Sequence, residues 1–275
     1  MRGSGGVQVR GVSLVVFLLV LAPVAAAGER GTFLGFRLLD LEDQSVKWQS
    51  PRWGERAELT YAFATQATST EGARNCARML PPETAHEPSR ISHTAFRREV
   101  AAAFRMWEAV ADITFRQTDD AQAANILIGA QGEPMGRAFT NVGLKPAGAV
   151  GRKVIARSLI CLNPRQGWKI GFDGNLDVYD LRYTIAHEVG HAIGLDHPSA
   201  AGQLMSYRYD ERQPGLQPGD IKGAALLYGA PAGAPRFADG IPTRSNSAPA
   251  KKGGTGWPFG IGESGAGGEP RSGPR

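Results

Sequence analysis

Hydrophobic positions along this chain change period several times, and each change marks an element. From Glu58 to Thr65, Leu59, Tyr61 and Phe63 alternate with smaller residues, the two-residue period of a half-buried strand. Gly72 to Ser92 contains Pro81, Pro82 and Pro88 and reads as a loop. From Ser92 the period lengthens. Phe96, Val100, Ala103, Phe104, Trp107 and Val110 fall on one stripe of a long amphipathic helix, with Arg97, Arg98 and Glu99 facing away. Short strands follow at 113–115, 125–129, 136–141 and 153–162, punctuated by Gly, Pro and Asn. Asp177, followed by Asp180, can cap a second helix leading past residue 184. A last helix opens at Pro218, a residue suited to the first helical position, and stops at Tyr228-Gly229. Residues 28–50 are short and mixed, too few to bury a core of their own.

Composition changes this picture at the two ends. Arg2 and Arg10 flank an apolar run from Val12 to Ala22, and Ala25-Ala26-Ala27 offers a cleavage site, so residues 1–27 read as a signal peptide. The run is too short for a comfortable membrane span, and no later segment approaches one. At the other end, residues 231–275 hold 11 Gly and 7 Pro with few large apolar side chains, and disorder is expected there. Trp257 and Phe259 in "GWPFG" form one small apolar motif in that tail.

Of 31 basic residues, two lie in the leader and six beyond Gly229; of 26 acidic residues, three lie beyond Gly229. The body is therefore left with equal numbers of each, and no Lys/Arg stripe marks a phosphate-tracking face. Nucleic acid is not an expected partner. The two cysteines, Cys76 and Cys161, read first as one disulfide of an exported protein, with a zinc thiolate or a latency cysteine as alternatives.

Three of the five histidines crowd into "TIAHEVGHAIGLDHPSAAGQLMSY", Thr184 to Tyr207. Side chains four apart on a helix lie one turn above each other, so His187 and His191 can aim at one point. Glu188 is rotated by about 100°, poorly placed as a ligand but able to reach something bound to the ion. Gly194 stands where the helix must turn, and a residue without Cβ can adopt the left-handed conformation that lets His197 return to the same point. Three neutral imidazoles with an open fourth position are the donor set of a catalytic zinc ion rather than of a closed structural one. Such an ion lowers the pKa of a bound water toward about 7 and polarises a carbonyl, and Glu188 is the candidate general base. His86 and His93 have no second histidine at helical or strand spacing and read as exposed side chains, not ligands.

The full pattern H-E-x-x-H-x-x-G-x-x-H holds at His187, Glu188, His191, Gly194 and His197. With it, the chain resembles the metzincin zinc endopeptidases, in which a methionine on a tight turn lies beneath the metal. Met205, eight residues past His197, matches that residue at a matrixin-like spacing. "LTYAFAT", "AFRMWEAVADITF" and "GDIKGAALLYG" are also similar to matrixins, so the resemblance spans about Trp53 to Gly229.

It implies an α+β fold: a metzincin-type zincin domain with a twisted mixed β-sheet, long helices, an active-site helix and a Met-turn. The segments expected are the leader, a short N-terminal or pro-segment at 28–50, a catalytic domain at 51–230 and the tail. Pro198 and Tyr207 depart toward serralysins, and Tyr207 also toward astacins. In those groups the tyrosine leans onto the metal and stabilises the oxyanion; the competing role is an aromatic wall of the specificity pocket.

One catalytic zinc is implied. The histidines and acidic loop that hold structural zinc in animal matrixins have no counterpart between Gly129 and Phe172, so a second ion is not expected. Asp173, Asn175 and Asp177 are candidate calcium ligands, with a capped helix-entry loop as the competing reading. Cysteine-based latency and serralysin-type calcium repeats are not expected. The implied function is an exported, periplasmic or secreted, monomeric endopeptidase acting on protein or peptide, with substrate extended along a strand near Ala138–Asn141. A catalytically silent zinc-containing binding protein and a zinc hydrolase of a non-peptide amide share the same residues.

Overall fold

The computed structural model describes residues 35–145 and 153–231 and the backbone of 260–262. The expected signal peptide lies outside the described residues. Among them, nine strands share one sheet: β1 (Lys47–Trp48), β2 (Ala57–Phe63), β3 (Thr68–Ser69), β4 (Arg78–Leu80), β5 (Ile113–Gln117), β6 (Ile126–Gln131), β7 (Ala138–Leu144), β8 (Val154–Leu162) and β9 (Gly260–Gly262). The order along the sheet is β9-β7-β8-β6-β2-β5, with β1 beside β8 and the β3–β4 pair beside β6. β6 runs parallel to both β8 and β2, and all six of its residues are buried, as expected for a strand covered on both faces. β7 is antiparallel to β8 on one side and to β9 on the other.

Helix α2 (His93–Glu108) starts as its pattern predicts. The Ser92 side chain caps it by accepting a hydrogen bond from the Ala95 N–H at 3.2 Å. Its stripe of Phe96, Val100, Phe104 and Trp107 is buried, each side chain contributing about 1.5–3 kcal/mol by leaving water. Glu99, expected to face away, is instead buried. It is ion-paired with Arg98 at 3.2 Å and Arg182 at 2.6 Å, so the charge ties α2 to the next long helix rather than facing solvent. That helix, α3 (Leu181–Ala192), is capped by Asp180, which accepts from the Tyr183 N–H at 2.7 Å. The last, α4 (Pro218–Tyr228), has the bounds its Pro and Gly signals predict.

Three expectations are corrected. Residues 35–50 are not a separate segment: Leu39, Leu41, Val46 and Trp48 belong to the main core, and β1 pairs in parallel beside β8. Their alternation was too short to read because the elements they form are two residues long. The stretch 72–92 is not all loop, since it contains β4 and a short helix α1 (Glu83–His86) entered after Pro82. Within the tail expected to be disordered, Gly260–Gly262 pair with β7; the rest of that tail beyond residue 231 lies outside the described residues. Among the described residues no helix is long and apolar enough to cross a membrane.

Cys76 and Cys161 are joined in a disulfide. The bond sits in a small satellite core with Met79, Leu127, Phe139 and Leu159.

Candidate metal centre

Helix α3 is the rigid base of the site, and the fold satisfies its last carbonyls one by one. The Trp48 indole N–H donates to Ala192 O at 2.7 Å, the Tyr228 hydroxyl to Ile193 O at 2.6 Å and the Leu39 N–H to Gly194 O at 2.8 Å. Gly194 then turns the chain with φ +105°, and a Cβ there would strike the Val46 carbonyl. Beyond the turn, Leu195–Asp196 pair with Arg37–Leu38, which fixes the direction in which His197 comes back. The N-terminal segment thus builds the site from outside.

The three histidines converge as their spacing predicts. Their Nε2 atoms stand 3.1, 3.1 and 3.2 Å apart. Donors on a tetrahedral zinc with bonds of about 2.0–2.1 Å stand about 3.3–3.4 Å apart, so the triangle fits that ion. The Nδ1 atoms of His187 and His191 lie 2.7 and 2.9 Å from the carbonyls of Leu204 and Leu195. A carbonyl only accepts, so these Nδ1 atoms carry the protons and the Nε2 lone pairs face inward. Burial, with the neighbouring histidine charge second, lowers the His187 pKa to about 3 and that of His191 well below its ordinary value. Burial likewise lowers His197; the neighbouring Asp196 carboxylate opposes this, and the charges of Arg37 and Arg137 add to the lowering. All three rings are neutral near pH 7, the form that binds metal.

Glu188 is buried, and its carboxylate accepts a 2.6 Å hydrogen bond from Thr140 Oγ1 on β7. Thr140 also reaches the Glu188 main-chain oxygen at 3.0 Å. Met205 is buried beneath the helix, and its turn is held by Asp220, whose carboxylate accepts from the N–H groups of Leu204 at 2.8 Å, Met205 at 3.1 Å and Gln217 at 2.8 Å. Gly190 lets the turn approach: an added Cβ would overlap the Met205 sulfur. Tyr207 is 46% exposed, with its ring centroid 5.3 Å from that of His197 and nearly perpendicular to it.

Sequence reasoning missed Thr140, Gly190 and Asp220. Gly190 alone left a signal, because glycine in a helix interior costs about 1 kcal/mol relative to alanine and calls for a packing reason.

Among the other candidates, the Lys169 ammonium is paired with Asp173 and Glu211 and donates to the Asn175 carbonyl at 2.7 Å. A lysine therefore occupies the place where calcium was considered. Asp173 and Asn175 accept hydrogen bonds from backbone N–H groups two residues on, the capped-loop reading. His86, expected at the surface, is fully buried, and one ligand atom each from Glu83, His86 and His93 gather within 4.8 Å of one another. Those two histidines are seven apart in sequence but α1 folds back on the start of α2, which periodicity could not show.

A three-histidine centre on one helix and its return loop, with a glutamate beside it and a methionine turn below, defines the metzincin class. Residues 82–229 match the family model described as matrixin. Among relatives, stromelysin-3 of Rattus norvegicus is 32% identical over 154 residues, covering 52% of this chain and 29% of that protein. Matrix metalloproteinase-19 of Mus musculus is 34% identical over 154 residues, covering 52% and 27%. Metalloendoproteinase 1 of Glycine max is 28% identical over 197 residues, covering 69% and 56%. The chain spans less than a third of the length of these two animal relatives. It belongs to the matrixin family of zinc metalloendopeptidases.

Proposed function

We propose that this chain is an exported endopeptidase in which His187, His191 and His197 hold one zinc ion and Glu188 is the general base. The observation that carries the reading is the triangle of Nε2 atoms 3.1–3.2 Å apart, with Glu188, the residue after His187, buried and its carboxylate held by Thr140. Zinc bound there would polarise the scissile carbonyl and acidify an attacking water. Glu188 takes the proton from that water and passes it to the leaving amine. Thr140 aims the carboxylate through its 2.6 Å hydrogen bond. In this reading Tyr207, whose ring stands nearly perpendicular to that of His197, donates to the oxyanion.

Substrate lies extended along the outer edge of β7, whose main chain supplies the hydrogen bonds, and the side chain next to the cut enters a pocket beside His187 bounded by 207–217. The apolar leader and the Cys76–Cys161 disulfide support export, since disulfides persist in oxidising compartments.

Digestion of a proteome-derived peptide library tests the activity. Internal cuts that vanish with a chelator and return with added zinc are expected. No cut with zinc bound would replace the enzyme by a silent zinc-binding protein.

A further inference from the structure

We infer a second divalent-metal site, of the zinc class, formed by Glu83, His86 and His93 where α1 meets the first turn of α2. His86 Nδ1 lies 2.7 Å from the Ile91 carbonyl, so it carries the proton and leaves the lone pair on Nε2. That is the device that holds His187 and His191. Here the Nε2 atom is buried and has no hydrogen-bond partner, a costly state for an acceptor unless a cation takes it up. The ring plane is fixed by stacking on Phe96, with centroids 4.4 Å apart and 17° between planes. Glu83 and His93 are already together, Oε1 to Nδ1 at 2.8 Å. Both are partly exposed, so their side chains are free to close the 4.8 Å cluster onto an ion while His86 stays fixed. Two imidazoles and a carboxylate suit zinc, with solvent as the fourth ligand. The ion would pin α1 to α2, away from the proposed catalytic centre and independent of it.

The test is elemental analysis of the full chain after zinc loading and gel filtration, beside the His93→Ala and Glu83→Gln variants, with cobalt(II) spectra of each. Wild type is expected to hold one more zinc per chain than His93→Ala, and to show cobalt bands that the variant lacks. Because the readout is a difference, it holds whatever the three-histidine centre does. Equal metal content and superimposable cobalt spectra in wild type and both variants would overturn the site.

We also infer that Gly260–Gly262 docks in cis along the substrate edge of β7, a regulation that rests on the peptidase reading above. The pairing is antiparallel, with Gly262 opposite Phe139, Ile261 opposite Thr140 and Gly260 opposite Asn141. Neighbouring strands lie about 4.8 Å apart, so the Ile261 main chain runs beside the residue that holds the Glu188 carboxylate. An extended segment added to an exposed sheet edge is how peptides are commonly bound. Two of the three residues are glycine, which makes a ladder weak enough for substrate to displace. Tethering raises its effective concentration to the millimolar range, enough to fill the edge despite that weakness.

Ile261→Pro in the full chain removes one N–H from this segment. Made in a Glu188→Gln background, it should speed amide exchange in Phe139–Asn141 by tenfold or more. In the active chain it should lower KM several-fold with kcat unchanged. Unchanged exchange would overturn the docking; faster exchange in a chain that never cleaves would keep the docking and remove the peptidase reading.

Discussion

Gly190→Ala separates local helix propensity from the packing that places Met205. Propensity alone favours alanine by about 1 kcal/mol in a helix interior. The added Cβ, however, overlaps the Met205 sulfur and comes within 2.9 Å of Met205 Cε and of Trp107 Cζ2. Neither neighbour can step aside easily. The Trp107 indole donates to Ala186 O at 2.9 Å, and the Met205 backbone is tied to Asp220 at 3.1 Å. Overpacking costs about 1–3 kcal/mol, and a contact blocked on two sides belongs at the upper end. The net expectation is a loss of about 2 kcal/mol, or a Tm lower by about 4–8 °C for a domain of this size. Urea and thermal melts of the zinc-loaded protein measure it. In a Met205→Ala background the same change should cost little or become favourable, giving a coupling of over 1 kcal/mol in the double-mutant cycle. A Gly190→Ala protein more stable than wild type by about 1 kcal/mol would refute the packing argument.

Three further outcomes follow from the same geometry. Thr140→Val removes a hydrogen bond to a carboxylate worth about 1.5–3 kcal/mol, so kcat/KM on a peptide should fall about tenfold or more with zinc content unchanged; an unaltered rate would exclude Thr140 as a positioning residue. Asp220→Ala strands three backbone N–H groups and should cost about 3–5 kcal/mol in urea unfolding, with Asp220→Asn costing less, and a loss under about 1 kcal/mol would contradict its role under the Met-turn. Lys47 is buried, and desolvation lowers its pKa to about 8 from 10.5. Between those values the native amine has lost its proton while the unfolded one keeps it, so this group adds stability as pH rises. The stability difference between wild type and Lys47→Met should shift toward wild type from pH 8 to 10, and a pH-independent difference would deny the shift.

What was legible in the chain was what local spacing controls. The histidine motif, the α2 stripe and the Pro218–Gly229 bounds depend on residues within a few positions of each other. What was not legible depends on distant partners. Thr140 meets Glu188 across 48 positions, and Glu99 finds Arg182 across 83. Residues 35–50 looked like a dispensable lead-in because two-residue strands carry no period, yet Trp48 and Leu39 hold the carbonyls at the end of α3. His86 looked like a surface side chain because its partners, the Ile91 carbonyl and the Phe96 ring, lie across a turn that proline content made resemble plain loop.

The most direct test of the proposed chemistry is Glu188→Gln, which keeps the shape and removes the base. Peptide cleavage should fall by several orders of magnitude while zinc content stays equal to wild type. Cleavage at the wild-type rate, or loss of zinc together with activity, would contradict an assignment of Glu188 as base rather than ligand.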